Sequence, residues 1–570
     1  MNLQPIFNIV DICHKLGVTK AIISPGSRNA PLTMALTRHP DIHCRSVSDE
    51  RSAAFIALGI AQQLKEPVIL SCTSGSAAYN YAPAVAEAFY RHIPLLILTA
   101  DRPPEWINQL DGQTIRQNDL YRNHIKKSFT LPVDLNLPPS ETHAYRIINE
   151  AINCTKEYPY GPAHVNIPFR EPFYPERKEM PTFQENIKVI HTTPAKTSQL
   201  DWEGVQKEWN QYKKKLIVAG QQPKNVALTD ALSTIYKEKK VPVVGDILSN
   251  LHSIEEVVAH TDLFAGSNKK GLKESLQPDL LITFGLSTIS KNLKLLLRQY
   301  SPDAHWHIQF AGDVPDTYNS LTKIIRVQPE DFFKHFSSVI HEESFDFQKQ
   351  ENYCNIWLIE ERKARRNIAK FFSTDTWGEL EMVHKTIQAA PDSINLHLAN
   401  SMSVRYANFI GLESPKNQVE VFSNRGTSGI DGSNSTAVGA ALESDKINLL
   451  ITGDMAFFYD RNAFWHNYPT PNLRILVLNN HGGGIFRMIP GPDQLPEMEE
   501  FFETKQTLTA KALAEEFDFD YLLCDKKSKA KNYLEQFFEN NGKAKILEIE
   551  SDAAENTRIL KEFKNFSTVP

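Results

Sequence analysis

The segment that most restricts the fold runs from Ile451 to Met488, ITGDMAFFYDRNAFWHNYPTPNLRILVLNNHGGGIFRM. An apolar strand, Leu449–Thr452, ends in Gly453-Asp454, and a helical stretch follows. A second apolar strand, Arg474–Leu478, ends in Asn479-Asn480 and the glycine run Gly482–Gly484. Strand, helix, strand is the parallel α/β unit, and it places Asp454 and Asn480 at one carboxyl edge, where open α/β sheets bind ligands. An Asp carboxylate, an Asn amide oxygen and a loop carbonyl are hard donors suited to Mg²⁺, and glycines let backbone approach a ligand closely. Gly, Asn and Asp are also common turn residues at strand ends. Both dipeptides together, each behind a strand with a helix between, favour the ligand-binding reading.

Short apolar strands alternate with helical patterns along the whole chain, which predicts doubly wound parallel-sheet α/β domains. At about 150 residues per domain, 570 residues make three or four. The first block, residues 1–180, has expected strands at Ala21–Ser24, Pro67–Cys72 and Leu95–Ala100, with an Ala-rich helix near Ala77–Tyr90. A stretch with Pro168, Pro172, Pro175, Pro181 and Pro194 reads as an extended linker. The second block, 200–345, has expected strands at Leu216–Ala219, Val241–Val244, Leu280–Phe284, Trp306–Phe310 and Ile324–Val327. A charged, helix-prone segment near Phe345–Phe372 leads to the third block, 375–570, which ends with a strand at Lys545–Glu550.

Several classes of function are disfavoured. The 62 basic and 68 acidic side chains leave a net charge of −6, which argues against broad binding to nucleic acid. None of the six cysteines forms a CxxC pair, so zinc-ribbon and thioredoxin readings fail, and scattered thiols fit a reducing, cytoplasmic setting. No stretch approaches the ~20 apolar residues of a membrane span, so no membrane insertion is expected. The N-terminus lacks a basic n-region, and Asp11 interrupts its apolar run. No GxGxxG follows a strand, which disfavours a nicotinamide dehydrogenase.

The Gly453-Asp454 to Asn479-Asn480 arrangement resembles the thiamine diphosphate motif, GDG followed by NN. Met455 stands where the second glycine is usual, and the 23 residues between Met455 and Asn479 make a slightly short spacer. The resemblance implies a pyruvate decarboxylase-like architecture with aminopyrimidine-binding, central and diphosphate-binding domains. It makes Asp454 and Asn480 side-chain ligands of Mg²⁺ (or Mn²⁺), with Gly482 supplying a carbonyl. Glu50-Arg51-Ser52-Ala53-Ala54 is similar to the family's E-x-x-A-A segment. It implies that Glu50 is the acid bonded to the cofactor's N1′, a general acid–base role. A first-turn acid favoured by the helix dipole is the plainer alternative.

Further strings narrow the resemblance: SPGSRNAPL from Ser24, TSGSAAYN from Thr73, TADRPP from Thr99 and GQTIRQ from Gly112. NSMSVR from Asn400, SNRGTSGIDG from Ser423 and Gly484-Ile485-Phe486 complete the set. Together they resemble the 2-succinyl-5-enolpyruvyl-6-hydroxy-3-cyclohexene-1-carboxylate synthase family across essentially the whole chain. That family decarboxylates 2-oxoglutarate and adds the succinyl carbanion to isochorismate by 1,4-addition, in menaquinone biosynthesis. Both substrates are dianions, and arginine's planar fork suits carboxylates. The resemblance assigns Ser27, Arg28, Arg102 and Gln113 to isochorismate. It assigns Ser401, Arg405 and Arg425 to the 2-oxoglutarate-derived carboxylate, with Ser401 also touching the cofactor.

Gly429 and Ile430 match the residues that hold the cofactor's V shape, and Ile485 and Phe486 match an apolar wall over the thiazolium. Lys291 matches the first residue of a basic pair from the central domain, but Asn292 stands where arginine is expected. A homodimer or homotetramer with active sites between subunits follows from the same resemblance. Another thiamine diphosphate-dependent decarboxylase or carboligase, or a non-catalytic diphosphate-binding module of the same fold, are the alternatives.

Overall fold

The computed structural model describes residues 3–174, 181–184, 186–193, 200–338, 346–412, 418–489 and 491–567. The N-terminal unit holds β1 (Lys20–Ile23), β2 (His43–Ser46), β3 (Val68–Cys72), β4 (Leu95–Asp101), β5 (Lys127–Thr130) and β6 (Ala163–Pro168). The central unit holds β7 (Lys215–Ala219), β8 (Val243–Gly245), β9 (Leu280–Phe284), β10 (Ala304–Ile308) and β11 (Lys323–Ile325). The C-terminal unit holds β12 (Ile394–Leu398), β13 (Glu420–Phe422), β14 (Ile447–Gly453), β15 (Leu473–Asn479), β16 (Asp520–Cys524) and β17 (Lys545–Glu550). All strand pairs in the three sheets are parallel.

The first sheet runs β2-β1-β3-β4-β6-β5 and the third β13-β12-β14-β15-β17-β16, the same order. The central sheet runs β11-β10-β9-β7-β8. Every residue of β3, β4, β6 and β15 is buried, as strands must be when helices cover both faces of a parallel sheet.

The outer units meet through two helices. Helix Glu50–Leu64 starts at Asp49, whose carboxylate accepts the Ser52 N–H at 3.2 Å. It packs on helix Ser433–Ala441 so closely that glycine is needed on both sides. A Cβ at Gly59 would lie 2.1 Å from the Thr436 carbonyl oxygen, and one at Gly439 would lie 2.1 Å from that of Ile56.

Several expectations are corrected in detail. The helix expected over Ala77–Tyr90 is two pieces, Ser76–Asn80 and Ala82–Arg91. Pro83 lies in the first turn of the second piece, where its missing N–H is tolerated but a continuous helix is not. Pro168 belongs to β6, opposite Asp101 of β4, rather than to a linker. Pro175 and Pro194 lie outside the described residues. Short strands β2, β5, β13 and β16 escape the apolar pattern because they lie at or beside sheet edges and are polar or only partly buried. Among the described residues no helix is long and apolar enough to cross a membrane.

Candidate active site

Parallel strands deliver their following loops to one edge, and the C-terminal sheet loads that edge with polar groups. β14 and β15 pair in register, Gly453 opposite Leu478, so Asp454 and Asn480 emerge side by side. Asp454 opens helix Asp454–Tyr459 and is buried. Burial pushes its carboxyl up to about 6, against the Gln506 amide and the N–H groups of Met455 and Gly482. Gln506 Nε2 donates to Asp454 Oδ2 at 2.8 Å and to Asn479 Oδ1 at 3.1 Å.

Asn480 donates from Nδ2 to Glu379 Oε1 at 2.6 Å. Its Oδ1 is buried and has no hydrogen-bond partner among the described residues. An orphaned buried amide oxygen beside a buried, incompletely compensated carboxylate matches the oxygen donors a Mg²⁺ ion takes. The Gly482 carbonyl accepts from Gly484 N–H at 3.0 Å, leaving its second lone pair for a cation. Cβ atoms would not fit here. One at Gly482 would lie 2.8 Å from the Glu503 carbonyl oxygen, and one at Gly484 would lie 3.0 Å from Asn480 Nδ2. Glu503 is itself buried and held by Arg487, whose Nε donates to Oε1 at 2.6 Å.

A loop and a helix at the same edge carry cations: Arg425 follows β13, and Arg405 lies in helix Met402–Ile410 after β12. Asn400 donates to the carbonyls of Asn424 and Gly429, both at 2.6 Å, and so ties the loop after β12 to the loop after β13. Ser401 follows with φ 73°, a conformation non-glycine residues rarely hold. Arg425 Nη1 donates to Asn400 Oδ1 at 3.1 Å, while its Nε is buried without a partner. Burial, and then the neighbouring Arg405 guanidinium, push the Arg425 pKa down. Two repelling guanidiniums with an unfilled N–H are a receptor for a carboxylate. Gly429 and Ile430 are half-buried in this loop, and Ile485 and Phe486 are half-buried beyond the glycine run. The Phe486 ring lies 5.6 Å from that of Phe502.

The N-terminal edge is arranged differently. Glu50 is half-buried at the first position of its helix. Its neighbours bind the C-terminal unit of the same chain. Asn462 Nδ2 donates to Asp49 Oδ2 at 2.7 Å, and Arg51 Nη2 donates to the Tyr459 carbonyl at 2.8 Å. Within the chain no hydrogen bond or ion pair joins Glu50 to Asp454 among the described residues.

Ser27 is exposed, whereas Arg28 is buried, donating to the Phe169 carbonyl at 2.7 Å and stacking 4.7 Å from the Phe173 ring centre. Arg102 pairs with Asp111 at 2.8 Å and donates from Nε to Thr114 at 3.2 Å. Gln113, in that same loop, is exposed. Lys291 is exposed at the start of helix Lys291–Gln299. Asn292, standing where an arginine was expected, donates to the Asp262 carbonyl at 2.8 Å and so serves the packing of its own unit. Lys294 is half-buried, donates to the Thr288 carbonyl at 2.6 Å, and has its pKa lowered by burial and then by Arg425.

Residues 7–132 match the family model described as thiamine pyrophosphate enzyme, N-terminal TPP binding domain, and residues 183–398 match the middle domain of thiamine pyrophosphate enzymes. A Cytophaga hutchinsonii protein named 2-succinyl-5-enolpyruvyl-6-hydroxy-3-cyclohexene-1-carboxylate synthase is 44% identical over 99% of this chain and 98% of its own. The chain belongs to that synthase family. Proteins of the same name from Flavobacterium johnsoniae and Bacteroides thetaiotaomicron are 39% and 35% identical, each over 98% of this chain, and over 97% and 98% of their own. As a member of the family the chain is a thiamine diphosphate-dependent enzyme.

Glu379, Gln506 and Lys294 lie outside the strings that carry the resemblance, and the sequence pattern did not single them out. Glu379 and Gln506 lie 101 and 26 residues from Asn480, so no local pattern joins them. Lys294, three residues beyond Lys291, had a signal: one helical turn puts the two on the same face.

Proposed function

We propose that the chain decarboxylates 2-oxoglutarate and adds the succinyl unit to isochorismate, forming 2-succinyl-5-enolpyruvyl-6-hydroxy-3-cyclohexene-1-carboxylate for menaquinone biosynthesis. One observation carries the reading: a single sheet edge holds both the buried Asp454 carboxylate beside the unpartnered Asn480 Oδ1 and the Arg405–Arg425 pair. The relatives carry this synthase's name along their full length. A diphosphate held through a divalent cation fits the first feature, and a substrate with an additional carboxylate fits the second.

When bound, thiamine diphosphate supplies an electron sink for decarboxylation of a 2-oxo acid. The chain's residues do the rest. Asp454, Asn480 and the Gly482 carbonyl would hold Mg²⁺ or Mn²⁺. Glu50 would hold the aminopyrimidine ring at its N1′ and supply a general acid–base group there. Gly429 and Ile430 would hold the cofactor, and Ile485 and Phe486 would exclude water beside it.

Ser401, Arg405 and Arg425 bind the distal carboxylate of 2-oxoglutarate. Ser27, Arg28, Arg102 and Gln113 bind isochorismate, for which Arg102 must exchange Asp111 for substrate. Lys291 adds long-range positive potential from the central unit. The working form is a homodimer or homotetramer in the cytoplasm, in which Glu50 of one copy serves the cofactor held by another.

The test is incubation with thiamine diphosphate, Mg²⁺, 2-oxoglutarate and isochorismate, followed by mass spectrometry. The expected product has the summed mass of both substrates less carbon dioxide and is absent without cofactor. Decarboxylation without that adduct would overturn the assignment of the acceptor.

A further inference from the structure

Asn480 can serve a cation only through its carbonyl oxygen, and an amide turned the other way would present NH₂ to the same point. Something must set that polarity. Glu379 meets the requirement. It is 1% exposed at the first position of helix Glu379–Ala389, 101 residues before Asn480. Its backbone N–H donates to Asn556 Oδ1 at 3.1 Å. Ser551 Oγ donates to Glu379 Oε1 at 3.4 Å, and Asn556 Nδ2 donates to Ser551 Oγ at 2.9 Å. Ser551 N–H in turn donates to the Asn479 carbonyl at 2.9 Å. The carboxylate is therefore fixed to the ends of β15 and β17 and to helix Ala553–Ser567. Glu379 Oε1 accepts from Asn480 Nδ2 at 2.6 Å, so the contact takes up the NH₂ end of the amide and turns Oδ1 away. That oxygen is the buried atom without a partner.

We propose that Glu379 is a positioning residue that orients the Asn480 amide so that Oδ1 faces the divalent cation. This deepens the proposed cofactor site and rests on Asn480 being a cation ligand. Partners of metal ligands acting through one hydrogen bond set affinity by about 10–100-fold.

The test is a Mg²⁺ titration at fixed saturating thiamine diphosphate, read by tryptophan fluorescence and by calorimetry, with no turnover involved. Glu379→Ala is expected to raise the Mg²⁺ dissociation constant about 10–100-fold, and Glu379→Gln, which keeps an acceptor oxygen, to recover most of it. In an Asn480→Ala background, Glu379→Ala should add little, because its route to the cation is already gone. Glu379→Met keeps the length and removes the acceptor, so it replaces the alanine variant if that one fails to fold cooperatively. Normal Mg²⁺ affinity in the Glu379 variants, with weak binding in Asn480→Ala, overturns the positioning role alone. Normal affinity in Asn480→Ala removes the cation site and the proposal with it. Full additivity of the two substitutions also overturns it, since Glu379 would then act by another path.

Discussion

The N-terminal and C-terminal sheets are wired alike but equipped differently. Each runs second, first, third, fourth, sixth, fifth, so equivalent loops leave equivalent strand ends. After the first strand come Arg28 in one and Arg405 in the other. After the second come Glu50 and the Arg425–Ile430 loop. After the fourth come Arg102 and Asn480. The C-terminal loops converge on unfilled groups: an orphaned amide oxygen, an unpartnered guanidinium N–H and a buried acid with its pKa raised. At the N-terminal edge Arg102 is taken up by Asp111, whereas Arg28, held by Phe169 and Phe173, keeps a buried Nε without a partner just as Arg425 does. The difference between the two edges lies in Arg102, which would have to give up Asp111 before it could hold a ligand. Such exchange weakens binding without slowing the chemical steps of the bound complex.

The largest effect should come from breaking the one N-terminal group assigned to chemistry. Glu50→Gln is expected to lower kcat by about 10²–10⁴-fold while Mg²⁺-dependent cofactor binding persists; loss of binding with it would mean that Glu50 belongs to assembly of the site. Next, Arg425→Ala should raise KM for 2-oxoglutarate by about 10–100-fold, the worth of a lost charged hydrogen bond, with the isochorismate KM little changed in steady-state kinetics. Asp111→Asn should do the opposite on the N-terminal side and lower the isochorismate KM by several-fold, because Arg102 loses its internal competitor.

The contact between the two equivalent helices can be broken directly. Gly59→Ala forces a Cβ against the Thr436 carbonyl and should cost about 1–3 kcal/mol in thermal or denaturant unfolding, as should Gly439→Ala. The smallest effect concerns Asp460, which accepts from both the N–H and the hydroxyl of Ser435 and whose burial pushes it up to about 7. A folded-state pKa above the ordinary 3.8 means stability present at acid pH and lost as pH rises through 7. Asp460→Asn should therefore gain Tm relative to the parent as pH goes from 4.5 to 8, and a constant difference would show that Asp460 does not titrate in that range.

Much of this architecture is legible in order along the chain. Leu280–Phe284 stands where its apolar run places it, because a strand covered on both faces reads as a near-continuous apolar run. Asp454 and Asn480 were visible as a pair because both directly follow such strands. The break in the Ala-rich helix was less visible, since Pro83 is compatible with a helix start as well as with a helix end. The shared wiring of the outer sheets was invisible, because strand order is set by which strands pair and leaves no repeated residues.

The sequence by itself determined which chemistry the chain can carry: the donor dipeptides, the glutamate before an alanine-rich helix, the arginines and the family. Those are local strings, and strand-loop-helix periodicity is enough to put each at a carboxyl edge. The tertiary structure alone decided which groups are spent and which are free. Arg102 and Arg425 look equivalent as residues, yet one is paired with Asp111 and the other keeps a bare N–H. Glu379 and Gln506 reached Asn480 and Asp454 only through folding, because a hydrogen bond depends on distance in space and burial on the whole core around it.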